Sequence, residues 1–409
     1  MPREDLSEEQ IEAVALCTDI NNRIVGVTGE AGTGKTTILG NAVDDLRIEQ
    51  GYNVQLCAPT GRAAKRIQEA TGISAITIHR MMRWSVPEDD EDAGLPSYTK
   101  FNPLPYDVIF IDEASMLSDD LYRSVIDALK SRACIRFFGD ANQLPPVQGA
   151  SPFLAILEKY PSVKLTHNFR SQDGIISAAR SINRGLLPRS NDQFTVINAG
   201  AGLTLNTIDE FIDQSFGTIK SQLITPSKQG KYGVRSLNKF MQQKLNGQET
   251  RAMHLVYKDR DEAENVTIKP NDKIIWMKND YKLNLFNGMI GWVRDFDLED
   301  GSIVAEFDGK DVLIPPHIES YDPQGRAIFQ YDPRKFIDLA YAITTHKAQG
   351  SEFDKVVIVL NKSFVLNRAN FYTAVTRAKS YVSVIAGHGG LAHAMRREAW
   401  VPSDMGKKK

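Results

Sequence analysis

Ile24-Val-Gly-Val-Thr28-Gly29-Glu-Ala31-Gly32-Thr33-Gly34-Lys35-Thr36-Thr37 decides the fold. An apolar β-branched run meets a glycine-rich loop of the form G-x-x-x-x-G-K-[ST], and the loop opens onto amphipathic residues from Lys35 to Leu46. Glycines let the main chain wrap closely around phosphate oxygens, so that N–H groups and the start of the helix bind the anion. Lys35 then reaches the β- and γ-phosphates as a point charge, and Thr36 offers its hydroxyl to Mg²⁺. A buried strand in front and a helix behind form the context that turns such a match into an ATP site. Gly29, Ala31, Gly32, Thr33, Gly34, Lys35, Thr36 and Thr37 are therefore expected to hold Mg-ATP.

Outward from this loop, short apolar runs alternate with amphipathic stretches. Strands are expected at Val54 to Ala58, Val108 to Ile111 and Ile135 to Phe138, with helices at Gly61 to Ala70 and Leu121 to Leu129. Continuous rather than alternating apolar strands suit a sheet covered on both faces, and this element order implies parallel strands with right-handed crossovers. Arg83 to Tyr106 breaks the rhythm with an acidic run, Glu88 to Asp92, and four prolines, yet it keeps Trp84, Tyr98 and Phe101. The α/β rhythm returns at Gln222 to Thr225 and again in Lys355 to Leu360, Asn367 to Arg377 and Tyr381 to Ala386. Between them, from about Val256 to Asp332, short strand-like runs and the hairpin signals Asp300-Gly301 and Asp308-Gly309 predict a small all-β insertion. No internal repeat is read from the chain.

Asp112-Glu113 follows the apolar run Val108 to Ile111, which places two carboxylates at the carboxyl end of a buried strand, where such sheets bind ligands. Asp112 is expected to hold Mg²⁺ and Glu113 to orient or deprotonate the attacking water. Gln143, after the next strand, has an amide that both donates and accepts, which fits a sensor of the γ-phosphate. Arg170 and Arg377 are candidates to neutralise transition-state charge, an effect of roughly 10³ to 10⁵ in rate. A triphosphate in the seam between two lobes, touched from both, would pull them together on binding and release them on hydrolysis.

The order of these motifs resembles superfamily 1 helicases, most closely the RecD and Dda group of superfamily 1B. The resemblance spans nearly the whole chain. It is carried by Leu6-Ser-Glu-Glu-Gln10, Ala58-Pro59-Thr60-Gly61-Arg62-Ala-Ala-Lys65, Thr77-Ile-His79-Arg80, Asp112-Glu-Ala-Ser, Gly139-Asp-Ala-Asn-Gln-Leu-Pro-Pro146, Thr344-Thr345-His346-Lys347-Ala-Gln349-Gly350-Ser351 and Tyr372 to Lys379. It implies that Gln10 contacts adenine and that Gly350 joins the nucleotide site. It also implies that Pro59, Thr60, Gly61, Arg62, His79, Arg80, Thr345, His346 and Lys347 face a single strand lying across both lobes.

The fold implied is α/β, with two RecA-like P-loop parallel-sheet domains, a small inserted pin and an inserted SH3-like all-β domain. Residues 1–82 and 107–200 would form the first domain, 83–106 the pin, 201–254 and 334–409 the second domain, and 255–333 the SH3-like insertion. The function implied is an ATP-dependent DNA helicase moving 5′ to 3′ on single-stranded DNA, in replication, repair or recombination. Its partners would be single strands, duplex junctions, and single-strand-binding or replication proteins. Two features depart from the family pattern: His167-Asn168 stand where relatives often carry an acidic residue, and the pin candidate is acidic. A short region ahead of the P-loop points to a compact, monomeric motor of the Dda kind.

Composition bounds these readings without choosing among them. The 409 residues are 42% hydrophobic and 24% charged, ordinary for two or three globular domains. A net charge of -2 means that any nucleic-acid groove depends on local placement of Lys and Arg. Three widely spaced cysteines, Cys17, Cys57 and Cys134, fit reduced thiols rather than a metal set. No apolar run reaches the ~20 residues of a membrane span. These features suggest the cytoplasm, and the resemblance implies a bacterial or phage-infected cell. The alternatives are a single-strand-stimulated translocase or remodelling ATPase without strong unwinding, a P-loop enzyme acting on RNA, a small-molecule kinase, and a non-catalytic ATP switch.

Overall fold

The computed structural model describes residues 6–85, 95–146, 151–169, 173–256, 265–280, 282–321 and 327–396. Arg170 and the acidic run Glu88 to Asp92 lie outside the described residues. The chain divides into two units that change over between Asp173 and Gly174.

In the first unit, β1 (Ile24–Gly29), β2 (Val54–Ala58) and β3 (Ala75–Thr77) precede a short hairpin, β4 (Trp84–Ser85) and β5 (Leu95–Pro96). Strands β6 (Val108–Ile111), β7 (Cys134–Gly139) and β8 (Ser162–Leu165) follow. Six of these form one parallel sheet in the order β3-β2-β6-β7-β1-β8. Every residue of β6 and β7 is buried, and Arg136 of β7 is accommodated by donating to the carbonyls of Cys17 (2.7 Å), Asn22 (2.7 Å) and Asp19 (2.9 Å). Six helices accompany them: α1 (Glu8–Thr18), α2 (Lys35–Asp44), α3 (Gly61–Thr71), α4 (Ile78–Met81), α5 (Asp119–Asp127) and α6 (Phe153–Lys159). Helix α1 starts at a capping box in which Ser7 and Gln10 exchange hydrogen bonds, and α3 ends on Gly72 at φ 71°, a left-handed cap that glycine adopts without strain. Helix α2 stops two residues earlier than its pattern suggests and continues as a π-helical turn, Asp45–Glu49. In the stretch expected as a pin, Trp84 pairs with Pro96 and Ser85 with Leu95, and Phe101 on the following turn is 87% exposed.

The second unit begins with α7 (Asp173–Asn183), β9 (Phe194–Gly200), α8 (Leu205–Asp209), β10 (Ser221–Thr225) and α9 (Val234–Asn246). The β-rich stretch supplies β11 (Met253–Leu255), β12 (Val266–Ile268), β13 (Lys273–Trp276), β14 (Ile290–Phe296), β15 (Ile303–Phe307), β16 (Lys310–Ile314), β17 (Ile318–Tyr321), β18 (Ala327–Tyr331) and β19 (Ile337–Leu339). The unit closes with β20 (Ala342–Thr344), α10 (Thr345–Ala348), β21 (Phe353–Leu360), α11 (Arg368–Val375), β22 (Ala378–Gly387) and α12 (Gly390–Arg396). Its second parallel sheet runs β20-β10-β21-β22-β9. Five β-rich strands form an antiparallel sheet, β16-β15-β14-β13-β19. Asp308 and Gly309 make the two-residue turn between β15 and β16 with φ 52° and 75°, the positive values that match strand twist in such a hairpin. Trp276, Val293 and Phe307 of this sheet share one core with Leu223, Val357 and Ile385 of the parallel sheet.

Two expected boundaries shift. Residues 194–200, assigned to the first domain, pair along their length with β22 as the edge of the second sheet. A strand belongs to the sheet whose ladder it completes, so the change of domain comes before β9 and not at 200. The β-rich sheet likewise reaches past 333, because Ile337–Leu339 pairs with β13 as its closing edge.

The structure also reveals a duplication that no fixed period in the sequence announces. Gln55-Leu-Cys-Ala-Pro59-Thr60 and Ala75-Ile-Thr-Ile-His79-Arg80 recur as Gln222-Leu-Ile-Thr-Pro226-Ser227 and Ala342-Ile-Thr-Thr-His346-Lys347. In each pair the two strands are neighbours in the same register: Leu56 faces Ala75, and Leu223 faces Ala342. Gln55 and Gln222 both donate to the carbonyl of the following leucine. Thr77 and Thr344 both cap a four-residue helix by accepting from the backbone N–H of Arg80 and Lys347, at 3.2 Å in each case. Residues 61–74 separate the first pair and 228–341 the second, so the expectation of a chain without repeats is corrected at the level of these short blocks.

Candidate nucleotide and nucleic-acid sites

The phosphate loop is built as its sequence demands. Gly32 and Gly34 take φ of 86° and 80°, values open to glycine, and a side chain at 34 would strike the Gln10 amide nitrogen. Gln10 is buried, and its amide donates to the Thr33 carbonyl at 3.4 Å. The residue expected at adenine is therefore fixed against the loop itself. Lys35 Nζ lies over the loop and donates to the carbonyls of Gly29 (2.7 Å) and Glu30 (3.0 Å). Thr36 and Thr37 stand in the first turn of α2, half-buried.

Opposite the loop, Asp112 leaves the end of β6 and accepts from the Glu113 N–H at 2.8 Å. Burial, with Glu113 beside it, pushes the Asp112 carboxyl up to about 6, while Lys35 and Arg66 act in the other direction. Glu113 sits at φ 54°, a left-handed conformation that costs a non-glycine residue of order 1 kcal/mol or more and recurs at functional sites. Gln143 is buried and donates to Asp140 at 3.5 Å. Its Oε1 and the hydroxyl of buried Ser115 have no hydrogen-bond partner among the described residues. A buried acceptor left unpaired costs about 1–3 kcal/mol, so both atoms call for a partner that binds here. Thr28 Oγ1 accepts from the Ala141 N–H at 3.2 Å and ties the Gln143 loop to the strand that feeds the P-loop. Hard oxygen donors, Thr36 and an Asp112 carboxylate that is reluctant to ionise by itself, suit Mg²⁺ bound through one or two protein ligands plus phosphate.

Sequence reasoning missed a clasp around this loop. Glu9 accepts from the backbone N–H groups of Thr166 (2.7 Å) and His167 (3.1 Å) and from the Thr166 hydroxyl, and these bonds hold its carboxyl below the usual range. Asn168 donates to the Ala31 carbonyl at 2.6 Å, and the Phe169 N–H donates to that of Gly32 at 2.9 Å. The departure from the family pattern at His167-Asn168 is thus a latch on the P-loop, set immediately before Arg170. Glu9 lies inside a quoted motif, but no local pattern announces a partner so distant in sequence. Arg66, on the second turn of α3, was missed for the same reason.

The second unit holds the other candidates. Arg377 follows the end of α11 rather than lying within it, and it is buried. It donates to Thr373 O (3.0 Å), Ser351 O (3.4 Å) and Thr376 Oγ1 (3.1 Å). Gly350, at φ 71°, precedes Ser351, so the Gln349-Gly350 turn and Arg377 form one hydrogen-bonded piece. Thr345 is buried with its hydroxyl on Asn370 (2.9 Å), and burial lowers the affinity of His346 for a proton. Lys347 donates to Asn287 of the β-rich stretch at 2.9 Å. In the first unit, Thr60 caps α3 by accepting from Ala63 N–H, with Pro59, Gly61 and Arg62 around it. His79 lies tilted 5.3 Å from Trp84, and Arg80 is exposed. All three cysteines are free and buried, and no described helix is long and apolar enough to cross a membrane.

Comparison with known proteins finds relatives in sequence and in fold. The AAA-domain family model matches residues 5–215, and the UvrD-like helicase C-terminal domain model matches residues 339–385. The ATP-dependent RecD2 DNA helicase of Deinococcus radiodurans is 34% identical over 97% of this chain, which spans 52% of that relative's length. The RecD subunit of the RecBCD enzyme of Mycolicibacterium smegmatis is 26% identical over 96% of the chain and 73% of its own length. Among solved structures, Bacteroides Pif1 helicase bound to ADP-AlF3 and single-stranded DNA shares the fold at a TM-score of 0.58, with 23% identity and 92% of each chain covered. The Candida albicans Pif1 helicase does so at 0.59, with 20% identity over 93% and 94%.

Proposed function

The chain belongs to the AAA-domain family, and from that premise we propose that it is an ATP-driven DNA helicase of the RecD-like superfamily 1B kind, moving 5′ to 3′ on single strands. The observation that carries the reading is the meeting of Lys35, Asp112, Glu113 and Gln143 at the carboxyl edge of one parallel sheet, with a buried acceptor awaiting a partner. The loop N–H groups and Lys35 hold the β- and γ-phosphates, and Gln10 steadies the loop from behind. Thr36 and Asp112 would hold Mg²⁺, which neutralises phosphate charge when bound. Glu113 accepts the proton of the attacking water as its oxygen bonds to the γ-phosphorus and the bond to the bridging oxygen breaks, leaving ADP and phosphate. Gln143 Oε1 accepts from that water. Arg170 and Arg377 neutralise the transition state, and Gly350 joins the nucleotide site.

Pro59 to Arg62 with His79 and Arg80, and Thr345 to Lys347, hold the sugar–phosphate backbone of a single strand, with little sequence preference. The turn around Phe101 serves as the pin at duplex junctions, and the five-stranded sheet as the SH3-like domain. Single-strand-binding or replication proteins are the expected partners of a monomer. The test is ATP-driven unwinding of duplexes that carry either a 5′ or a 3′ single-stranded tail, with ATPase stimulation by single-stranded DNA read in parallel. Unwinding from the 5′ tail alone is expected. An ATPase indifferent to single strands would overturn the motor, and unwinding from the 3′ tail would reverse its polarity.

A further inference from the structure

Three segments of the second unit converge on Arg368, the first residue of α11. The turn that ends α7 comes close to it: a Cβ placed on Gly185 would lie 3.3 Å from the guanidinium Nη2 and 3.4 Å from its Cζ. Gly185 also takes φ 75°, so the close approach and the left-handed turn both call for glycine. From another side, Arg368 Nη2 donates to the Met395 carbonyl of α12 at 3.3 Å. Helix α12 in turn meets the loop after β21, where His393 Nε2 donates to the Ser363 carbonyl at 2.9 Å. Ile182, Leu366 and Met395, one from each segment, share a buried core.

The surface of these segments is apolar and cationic at once. Leu186 is 59% exposed, Leu187 62%, Phe364 72% and Val365 41%. The leucines stand on a pinned turn: the Gly185 N–H donates to Ile182 O and the Leu186 N–H to Ser181 O, both at 2.9 Å. Residues 183–190, 361–368 and 390–396 hold five cations, Arg184, Arg189, Lys362, Arg368 and Arg396, and no Asp or Glu. In a chain whose acidic residues outnumber its basic ones, 51 to 49, that is a local excess of positive charge. All of the five but Arg368 are exposed. Arg368 Nε and the Asn183 amide nitrogen are buried donors with no hydrogen-bond partner among the described residues. Exposed apolar side chains grouped inside a polar rim mark protein-binding surfaces, and donors short of acceptors mark one that receives acceptors from outside.

We infer that this face of the second unit docks an acidic peptide segment of a partner protein. Large apolar side chains of the peptide lie on Leu186, Leu187 and Phe364, and its carboxylates meet the rim of arginine and lysine. Charge complementarity sets the sign of the partner. Nucleic acid shares that sign, but single strands are held by successive aromatic platforms, and this face offers aliphatic side chains around one exposed ring. The inference stands apart from the motor reading, because none of these residues belongs to the nucleotide site or to the residues assigned to the strand.

The test titrates the full chain against a short fluorescent peptide in which Asp and Glu alternate with Leu and Phe, read by anisotropy. Two control peptides replace the carboxylates by amides or the apolar residues by serine. Wild type should bind the first peptide, less tightly as salt rises, and each control roughly tenfold more weakly. Leu186→Ser combined with Leu187→Ser should cost a similar factor. Arg189→Glu combined with Lys362→Glu should lose the acidic peptide and gain one carrying Lys in place of Asp and Glu. These positions are exposed, so thermal unfolding and ATP turnover without peptide should stay as in wild type. No binding by wild type, equal binding of all three peptides, or full binding by both variants would overturn the inference. So would variants that lose oligothymidylate but not peptide, which would assign the face to nucleic acid. Self-association of wild type that the variants lose, without peptide binding, would assign it to a second copy. Peptide binding only by a chain ending at Arg396 would assign it to residues 397–409, and either result equally overturns the inference.

Discussion

The two duplicated blocks, Gln55 to Arg80 and Gln222 to Lys347, share a strand pair, a register and a threonine cap, yet their surroundings differ. In the first, a single helix joins the strands, His79 packs on Trp84, and Arg80 is exposed. In the second, α9 and the whole β-rich sheet intervene, burial lowers the affinity of His346 for a proton, and Lys347 is bonded to Asn287. Only the first unit carries the glycine-rich loop in its sequence. The lesson is that one local solution, a parallel edge strand ending in a capped turn, serves two tasks. What is attached to it differs: the first unit carries the glycine-rich loop, and the second a cavity beside the strand pair.

The sharpest way to break this division is Lys35→Ala. Turnover should fall to background with the fold intact, measured by steady-state phosphate release and circular dichroism, because nothing in the second sequence block replaces the loop. Normal turnover would erase the distinction between the units. Arg377→Lys comes next. It keeps a cation while losing the planar fork that bonds Thr373, Ser351 and Thr376. If Arg377 neutralises the transition state as proposed, hydrolysis should drop roughly 10³-fold with nucleotide affinity retained. An unchanged single-turnover rate would confine catalysis to the first unit.

A smaller effect concerns pH. The folded Asp112 titrates at about 6, above its ordinary 3.8, so the native state binds the extra proton and stability falls as pH rises between those values. Above pH 6 the full penalty, at most about 3 kcal/mol, applies. Asp112→Asn should therefore stabilise the protein at pH 7 in thermal unfolding, flatten that pH dependence and abolish turnover. Nucleotide binding with Mg²⁺ should weaken in wild type below pH 6, as the carboxylate is lost. A variant less stable than wild type at pH 7 would contradict a strained site in the first unit. The smallest test is of equivalence itself. Thr77→Ala and Thr344→Ala each remove an N-cap and should cost about 1 kcal/mol in denaturant unfolding. Effects that differ by more than twofold would show that the surroundings, not the shared cap, set stability.

Much of the site is legible in the sequence because its chemistry is local. A P-loop is specified by glycines a few residues apart, and Asp112-Glu113 by the strand it ends, so short-range pattern is enough to place both. The hairpin of β15 and β16 is announced by Asp308-Gly309, which form its turn. Partners far apart in sequence are not legible: the bond from Glu9 to Thr166 and the latch of Asn168 on Ala31 leave no trace in spacing. The duplication is present in the letters but concealed, because one copy is split by the insertion.

The amino-acid sequence by itself determined the phosphate loop, the strand-end carboxylates and the alternation of strand and helix, since each follows from backbone conformation and short-range hydrogen bonding. Tertiary structure alone decided that Phe194–Gly200 belongs to the second sheet, that the two blocks share a register, and that four cations ring one cavity. A ladder or a cavity exists only when chain segments distant in sequence come together, and apolar periodicity records which face a residue buries, not which neighbour it meets.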